Sequence, residues 1–324
     1  MAPSVNSRIF AGKIREMRKV HLISIAEPVV LDLAFALKDK GYDISASGIR
    51  VSEPDSERMR EAGIEFHGNG WFPDRLTNDI QFVVLGSTVT QENPEYEKAK
   101  NIGLLILSIP EFIFERTKSK TRLVISGSKG KKSILSMIIY AFQQQRMAFD
   151  YALSSNIPLL PNRIGLEYNS RIAIIEGDEH VTSALETKFR LEFYRPHIAV
   201  ISNIDWKQSE EHTTLEGYIG TYRQFTASIE REGKLIYFGS DPTVTKLAND
   251  VRDDITAIPY EAHEIKETGD GTWLVTRYGE FPVRIPDEFF LSNLNAARLA
   301  CRHLGMKDTD FYKAVSAYSL TMNI

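Results

Sequence analysis

The sequence predicts an α/β protein with two successive parallel sheets, and three observations lead to this expectation. From Lys19 onward, short apolar runs alternate with amphipathic stretches, as strands and covering helices do in parallel sheets. The chain has 324 residues, 43% of them hydrophobic, which is more than one core usually holds. A short basic connection, Lys118 to Arg122, separates two such series of elements, so we expect two domains.

The first series opens with a βαβ unit. Val20 to Ile25 predicts a strand, Pro28 to Lys40 a helix that ends at Gly41, and Asp43 to Ala46 a second strand. The elements that follow are a helix over 56–62, a strand over 82–85, a helix over 94–101, a strand over 104–107 and a helix over 110–116. We expect the first domain to span 19–116, after an N-terminal extension over 1–18.

The second series has longer elements, and we expect it to form a domain over 117–324. A strand over 123–126 leads through a loop of glycines and lysines into a helix over 133–145, where Ile134, Met137 and Ile138 recur at helical spacing. Strands follow over 172–175, 198–201 and 234–238, with a helix over 215–230. The alternation within 257–285 predicts a small antiparallel part, and 293–304 a helix.

Composition limits the partners and the compartment. With 39 Lys and Arg against 43 Asp and Glu, the net charge is -4, which disfavours nucleic acid or an anionic membrane as the main partner. The single cysteine, Cys301, allows no disulfide framework, and we expect it to be a small buried apolar residue. Neither a secretory leader nor a membrane-spanning apolar stretch is evident, so we expect a cytoplasmic protein.

The loop after the strand over 123–126 has the composition of a phosphate-binding loop. Glycines let backbone amides approach phosphate oxygens, and the start of the following helix adds partial positive charge. Lys131 would meet the outer phosphates of a nucleotide and so take part in catalysis. The candidate cofactor-binding residues are Gly127, Ser128, Lys129, Gly130, Lys131, Lys132 and Ser133.

The position after Lys131 breaks the pattern. Phosphate loops carry Ser or Thr there, because its hydroxyl binds the Mg²⁺ that bridges two phosphates. Here that residue is Lys132, which cannot bind Mg²⁺ while protonated. Either Ser133 supplies the metal-binding hydroxyl, or the metal binds weakly. A third interpretation makes the segment a plain strand-to-helix turn with solvated lysines.

Several motifs together resemble those of the Mur ligase family. Gly-Ser-Lys-Gly-Lys-Lys-Ser is similar to that family's loop, Gly-Thr-x-Gly-Lys-Thr-Thr. The other matching segments are Gly70-Trp-Phe-Pro73, Asn93-Pro94, Ile109-Pro-Glu-Phe112, Glu176-Gly-Asp-Glu179, Tyr194-Arg-Pro196, Ile201-Ser-Asn-Ile-Asp-Trp206 and Asn293-Leu-Asn-Ala-Ala-Arg298. The likeness covers nearly the whole chain from Lys19 onward.

The resemblance implies an N-terminal Rossmann-like domain for a UDP-sugar and a P-loop ATPase-like central domain. We expect this chain to lack the family's C-terminal domain. The implied chemistry is ATP-dependent amide ligation in peptidoglycan synthesis or recycling. The carboxylate of a UDP-N-acetylmuramate-type substrate attacks the γ-phosphate of ATP, and an amino group then attacks the acyl-phosphate. Mg²⁺ neutralises the charge that develops on the phosphate oxygens.

The resemblance also assigns roles to residues. Gly127, Gly130 and Lys131 match the ATP phosphate cradle, and Glu176 matches the family's magnesium-binding glutamate, with Ser133 as the candidate second metal ligand. An alternative makes Glu176 part of an acidic helix start that caps its own amides. Two asparagines remain from the stretch that positions the nucleotide base, and they complete the candidate cofactor site: Asn293 and Asn295.

Four departures from the family pattern keep two functions open. Besides Lys132, Gln208 stands where the family has a histidine near magnesium, and Phe289 and Phe290 replace the His-Asn pair of the nucleotide-base stretch. Glu27 brings negative charge to the loop after the first strand, which implies weaker anion binding there. The chain is therefore either a ligase or a degenerate paralogue with a binding or regulatory role, to which a protein partner would supply missing functions.

Overall fold

The computed structural model describes residues 18–285 and 287–321. The expected N-terminal extension over 1–18 lies outside the described residues, except for Arg18. The helices are α1 (Pro28–Asp39), α2 (Glu53–Glu61), α3 (Pro94–Asn101), α4 (Ile109–Thr117), α5 (Lys131–Gln144), α6 (Leu215–Ala227), α7 (Pro242–Asn249), α8 (Phe290–His303) and α9 (Asp308–Thr321).

Strands alternate with these helices along most of the chain. They are β1 (Lys19–Ile23), β2 (Asp43–Ser47), β3 (Glu65–Phe66), β4 (Ile80–Leu85), β5 (Leu105–Ser108), β6 (Thr121–Ser126), β7 (Asp150–Ala152), β8 (Ile164–Gly165), β9 (Ile172–Glu176), β10 (Val181–Ser183), β11 (Glu186–Phe189), β12 (Ile198–Ile201), β13 (Lys234–Phe238), β14 (Thr256–Tyr260), β15 (Ile265–Thr268), β16 (Gly271–Thr276) and β17 (Gly279–Val283).

The described chain divides into two compact units. The first contains the residues up to Ser119 together with Asn162–Leu166 and His180–Phe193. Its five-stranded sheet has the order β3-β2-β1-β4-β5, and every pair of neighbouring strands is parallel. Proline at the first turn and a polar cap start α2, α3 and α4 sharply; Ser108 and Glu111 form a capping box at α4.

The second unit contains Lys120–Pro161, Glu167–Glu179 and the described residues from Tyr194 onward. Its main strands run side by side in the order β14-β13-β12-β6-β9-β7, all parallel. The apolar face of α5 packs with α8 and α9 over this sheet, where Ile134, Leu294 and Val315 are buried. These two parallel sheets confirm the predicted α/β class.

The differences from the prediction include the pairing of one strand, the start of one helix and two further helices. Thr256–Tyr260 was expected to belong to the antiparallel part, but it pairs parallel with β13; only β15, β16 and β17 form an antiparallel sheet. α5 begins at Lys131 rather than Ser133. The helices α7 and α9 were not predicted, although Asp241 and Pro242 are the cap and first-turn residues that favour a helix start.

Other predictions concern burial. Cys301 is fully buried in the core of the second unit, and burial raises the pKa of its thiol, so it behaves as the small hydrophobe expected. Across the part of the chain that the structure describes, every helix is too short or too polar to cross a membrane. The domain boundary predicted between residues 116 and 117 stays a prediction, and the two compact units are a separate description of the chain.

Candidate functional site

The carboxyl ends of three neighbouring parallel strands meet in the second unit. β6 ends at Ser126, and the two strands paired with it, β9 and β12, end at Glu176 and Ile201. Ligands of open α/β sheets bind outside such strand ends. The segment 127–130 leads from β6 directly into α5 at this edge, so the predicted phosphate loop lies where the fold places ligand sites.

Two glycines shape this loop. Gly127 has φ 127° and Gly130 has φ 84°, a region that other residues rarely adopt. A Cβ atom on Gly127 would overlap the hydroxyl of Ser202, and one on Gly130 would lie 2.5 Å from Oδ1 of Asn293. The path of the loop therefore depends on glycine at both positions, for backbone conformation and for space.

Two loop amides are already used inside the protein. The N–H of Ser128 donates to the backbone carbonyl of Asn203 at 3.0 Å, and the N–H of Lys129 donates to its side-chain Oδ1 at 2.7 Å. The hydroxyl of Ser202 donates to the carbonyl of Lys129. At the next residue, Gly130 caps α5 without a side-chain acceptor. The first-turn amides of α5 are thus the donors that an anion would meet.

Lys131 lies in a chain of polar side chains beside the loop. Its side chain is 17% exposed, and its Nζ is 3.4 Å from Oε2 of Glu179. The hydroxyl of Tyr218 donates to Oε1 of Glu179 at 3.0 Å and lies 3.0 Å from Oγ of Ser128. Burial raises the pKa of the Tyr218 phenol, which keeps its proton available for this hydrogen bond. Glu179 therefore holds the lysine that the sequence assigns to the outer phosphates.

The other loop lysines point to different surroundings. Lys129 is 59% exposed, and its Nζ lies 2.9 Å from Oδ2 of Asp205; this hydrogen bond raises the pKa of Lys129. Lys132 is exposed, whereas Ser133 is half-buried in the first turn of α5. Ser128 accepts a hydrogen bond from the amide of Asp205 at 2.8 Å. The predicted cofactor contacts of these residues stay predictions.

Glu176 ends β9 and is almost completely buried. Its Oε2 accepts hydrogen bonds from the amides of Ser154 at 3.1 Å and Ser155 at 2.8 Å, and its Oε1 accepts the Ser155 hydroxyl at 2.8 Å. The carboxylate thus holds the loop after β7. The alternative of an acidic helix start is wrong, because the chain passes from Glu176 through the buried Asp178 into β10 without forming a helix.

Glu176 is the carboxylate at this edge that the sequence analysis assigned to magnesium, and its metal role stays a prediction. Among residues 18–285 and 287–321, no three His, Cys, Asp or Glu side chains form a group that could hold a metal ion. Mg²⁺ in nucleotide sites commonly takes one or two carboxylates and completes its shell with water and phosphate oxygens. A carboxylate has roughly four lone-pair sites, so the three hydrogen bonds at Glu176 leave capacity for a metal.

The two candidate asparagines of α8 have different surroundings. Asn293 is buried, and its Oδ1 faces Gly130, so it packs against the phosphate loop. Asn295 donates through Nδ2 to the carbonyl of Glu261 at 2.9 Å and accepts two hydrogen bonds from Arg298. Residues two apart on a helix point in different directions. The structure therefore brings Asn293, rather than Asn295, to the loop.

A histidine to which the sequence analysis gave no role lies beside this network. Gln208, the expected replacement for the family histidine, is exposed. His212 is buried; its Nε2 is 2.7 Å from the carbonyl oxygen of Glu179, and its ring meets that of Tyr218 edge-on. The chain folds back after Trp206, whose Nε1 donates to the carbonyl of His212 at 3.2 Å.

Five residues described above contact the loop or its lysine and were not among the predicted site residues: Glu179, Ser202, Asn203, Asp205 and Tyr218. Asn203 and Glu179 each follow the end of a predicted strand, so their position on the chain was a usable signal. Tyr218 lies inside α6, and no local pattern distinguishes it from other helix residues. Only the packing of α6 brings its hydroxyl to the loop.

Comparison with known proteins gives the family. A model of the Mur ligase middle domain matches residues 125–301, which is more than half of the chain. The chain belongs to the Mur ligase family. The matched segment of this Mur ligase homologue begins within β6 and ends within α8, so it contains the phosphate loop, Glu176 and Asn293.

Comparison with individual relatives leads to the same family. The chain is 24% identical to UDP-N-acetylmuramate–L-alanine ligase of Carboxydothermus hydrogenoformans, covering 98% of this chain and 68% of that protein. The same-named protein of Clostridium kluyveri is 26% identical over 76% of this chain and 52% of its own length. The fold matches the UDP-N-acetylmuramate:L-alanyl-γ-D-glutamyl-meso-diaminopimelate ligase from Neisseria meningitides, with TM-score 0.79, 19% identity, and 93% and 98% coverage of the two chains. The predicted family and the Rossmann-like and P-loop ATPase-like folds are confirmed.

Proposed function

We propose that this Mur ligase homologue is an ATP-dependent ligase that joins an amino acid or peptide to a UDP-N-acetylmuramate-type substrate. The observation that carries the proposal is Lys131: it stands at the first turn of α5, directly after a glycine cap with no side-chain acceptor, beside the strand that ends in Glu176. An anion at this helix start meets amides and an ammonium group together. Two relatives that bear the name UDP-N-acetylmuramate–L-alanine ligase support the same chemistry. We propose that the reaction belongs to peptidoglycan synthesis or recycling and takes place in the cytoplasm.

Each residue of the site has a definite part in this proposal. The first-turn amides of α5 hold the phosphates, and Lys131 exchanges Glu179 for an outer phosphate oxygen. Glu176 would hold Mg²⁺, with Ser133 as a second candidate ligand; the metal, when bound, neutralises the charge that develops on phosphate oxygens. The attacking group is the substrate's own carboxylate, so the protein needs no Ser, Cys or His nucleophile. Positioning and charge neutralisation are then its main contributions.

Calorimetric titration with ATP and Mg²⁺ tests the phosphate loop. We expect Lys131→Ala to weaken ATP binding about 10-fold or more, because a charge-assisted hydrogen bond is lost. The matched control is Lys246→Ala, which removes an exposed lysine of α7, and we expect the affinity to stay within about 2-fold. Equal affinities of the two variants would contradict the assignment of Lys131.

A degenerate paralogue with a binding or regulatory role is the second candidate. Three observations favour it: Lys132 replaces the metal-binding hydroxyl, Gln208 is exposed, and the amides of Ser128 and Lys129 are engaged by Asn203. Phosphate release in the presence of ATP, a UDP-N-acetylmuramate-type substrate and an amino acid or peptide distinguishes the two. Release supports the ligase; ATP binding without release supports the degenerate paralogue, and the search then moves to its protein partners.

A further inference from the structure

The strand order of the first unit's sheet identifies the edge at which ligands of such folds bind. From β1 the chain proceeds through β2 to β3 on one side, and then returns to β4 and β5 on the other. β1 and β4 are therefore the neighbours at which the direction of winding changes. In open α/β sheets such a switch point opens a crevice outside the carboxyl ends of the strands, and ligands bind there. The segments that border it follow Ile23 and Leu85.

A carboxylate of the chain itself lies at this switch point, between the segments that follow β1 and β4. Oε2 of Glu27 accepts the amide of Ser87 at 2.9 Å and its hydroxyl at 2.8 Å. Oε1 of Glu27 accepts the amide of Thr88 at 3.0 Å and its hydroxyl at 2.7 Å. Two consecutive amides and two hydroxyls thus converge on one half-buried carboxylate. This donor set is that of an oxyanion cradle, in which backbone amides bind the oxygens directly.

The Glu27 side chain extends toward the residues after β4 and does not cap its own helix, α1. It is the residue before α1, a position where an acidic side chain commonly caps the first turn, yet its side chain makes no capping hydrogen bond. Pro28 follows it and lacks an amide donor. The Glu27 side chain spans from the end of β1 to the end of β4, 60 residues later in the chain. Its contacts are those of a bound anion.

We propose that Glu27 is a resident anion that makes the crevice of the first unit reject phosphate and pyrophosphate groups. A second anion would have to displace the carboxylate from all four donors or accept its charge a few ångströms away, and like charges at that distance repel strongly. The consequence of this exclusion for the substrate rests on the ligase function proposed above. A UDP-N-acetylmuramate-type substrate would then be recognised at this sheet through its other groups, with its pyrophosphate held away from the donors of Ser87 and Thr88.

The amides of Ser87 and Thr88 provide a direct test in the whole chain. Amide ¹H and ¹⁵N shifts are followed while inorganic pyrophosphate is titrated into the wild-type protein, Glu27→Ala and Glu27→Gln. We expect no saturable shift of these two amides in the wild type, and a saturable shift in the millimolar range or tighter in Glu27→Ala. Glu57→Ala, which removes an exposed carboxylate of α2, is the matched control and should behave as the wild type.

Two outcomes would overturn the proposal. A saturable shift of Ser87 and Thr88 in the wild type shows that Glu27 does not exclude anions; no shift in folded Glu27 variants shows that the donors are not an anion cradle. If Glu27→Ala fails to fold, the titration of Glu27→Gln tests the proposal, because glutamine keeps the size of the side chain without its charge. Failure of the ligase proposal is separate, because ATP binding is read at Lys131 in the second unit and not at these amides.

Discussion

At the scale of single residues, the phosphate loop depends on contacts that only glycine permits. Gly127 adopts φ 127° and lies directly against Ser202 and the backbone of Asn203. The same two residues anchor the loop through the hydrogen bonds to Ser128 and Lys129. Glycine at this position therefore supports the loop conformation as well as access to a phosphate.

We expect Gly127→Ala to lower the free energy of unfolding by about 1–3 kcal/mol, because the methyl group adds backbone strain and displaces Ser202. Urea unfolding measures the change. The matched control is Gly220→Ala in α6, where a Cβ atom meets nothing within 4 Å. In that helix the alanine should stabilise by roughly 0.5–1 kcal/mol. A neutral Gly127→Ala would show that the loop tolerates other conformations.

At the scale of elements, a buried ion pair ties the start of β6 to β7. Nζ of Lys120 lies 2.8 Å from Oδ2 of Asp150 and donates to Ser170 Oγ at 2.8 Å and to the carbonyl of Glu167 at 2.9 Å. Asp150 in turn accepts the hydroxyl of Ser170 and the amide of Glu167. Lys120 and Asp150 are almost fully buried, so each charge relies on the other.

We expect Lys120→Met to lower the free energy of unfolding by about 3–5 kcal/mol, since it leaves the Asp150 carboxylate buried without its ion-pair partner. Lys266→Met is the control: it breaks an exposed pair with Glu280 and should cost less than about 1 kcal/mol. The double variant Lys120→Met, Asp150→Leu should lose less than the sum of its single variants. Additive losses in that double-mutant cycle would rule out a coupled pair.

At the scale of the whole molecule, stability should depend on pH through three histidines. Burial is the main cause that lowers the pKa of His197, His263 and His303 from the usual value of 6.5; Arg122 adds to the effect at His197. In the unfolded chain these side chains take up protons at a higher pH than in the folded protein. The folded state therefore has its full stability above about pH 6.5 and loses it as the pH falls toward the lowered values.

Urea unfolding between about pH 5 and pH 8 measures this dependence. We expect the free energy of unfolding to rise with pH up to about 6.5 and then to level off. Replacing His197, His263 and His303 with glutamine should flatten the rise. The same triple variant supplies the control above about pH 7.5, where the wild-type curve should already be flat. A slope that survives in the triple variant would assign the dependence to other groups.

Local patterns in the sequence were enough for the fold class, the family and the position of the loop between β6 and α5. The apolar periods of β1, α1, β6 and α5 are short-range features, and the loop is one contiguous segment between the last two. Prediction failed where the environment decided the outcome. Thr256–Tyr260 was assigned together with the alternating residues that follow it, yet its neighbour in the fold is β13, with which it forms a parallel pair.

The tertiary structure alone decided the surroundings of the site. Glu179 and Tyr218 reach Lys131 and Ser128 only because β9 and α6 pack beside the loop, and Glu27 meets Ser87 only because β1 and β4 are neighbours. The sequence by itself determined where the loop of glycines and lysines lies, the segment that we propose to hold phosphate. Strand order and helix packing decided which donors are free and which are already used, since hydrogen bonds between residues far apart in the chain leave no local pattern.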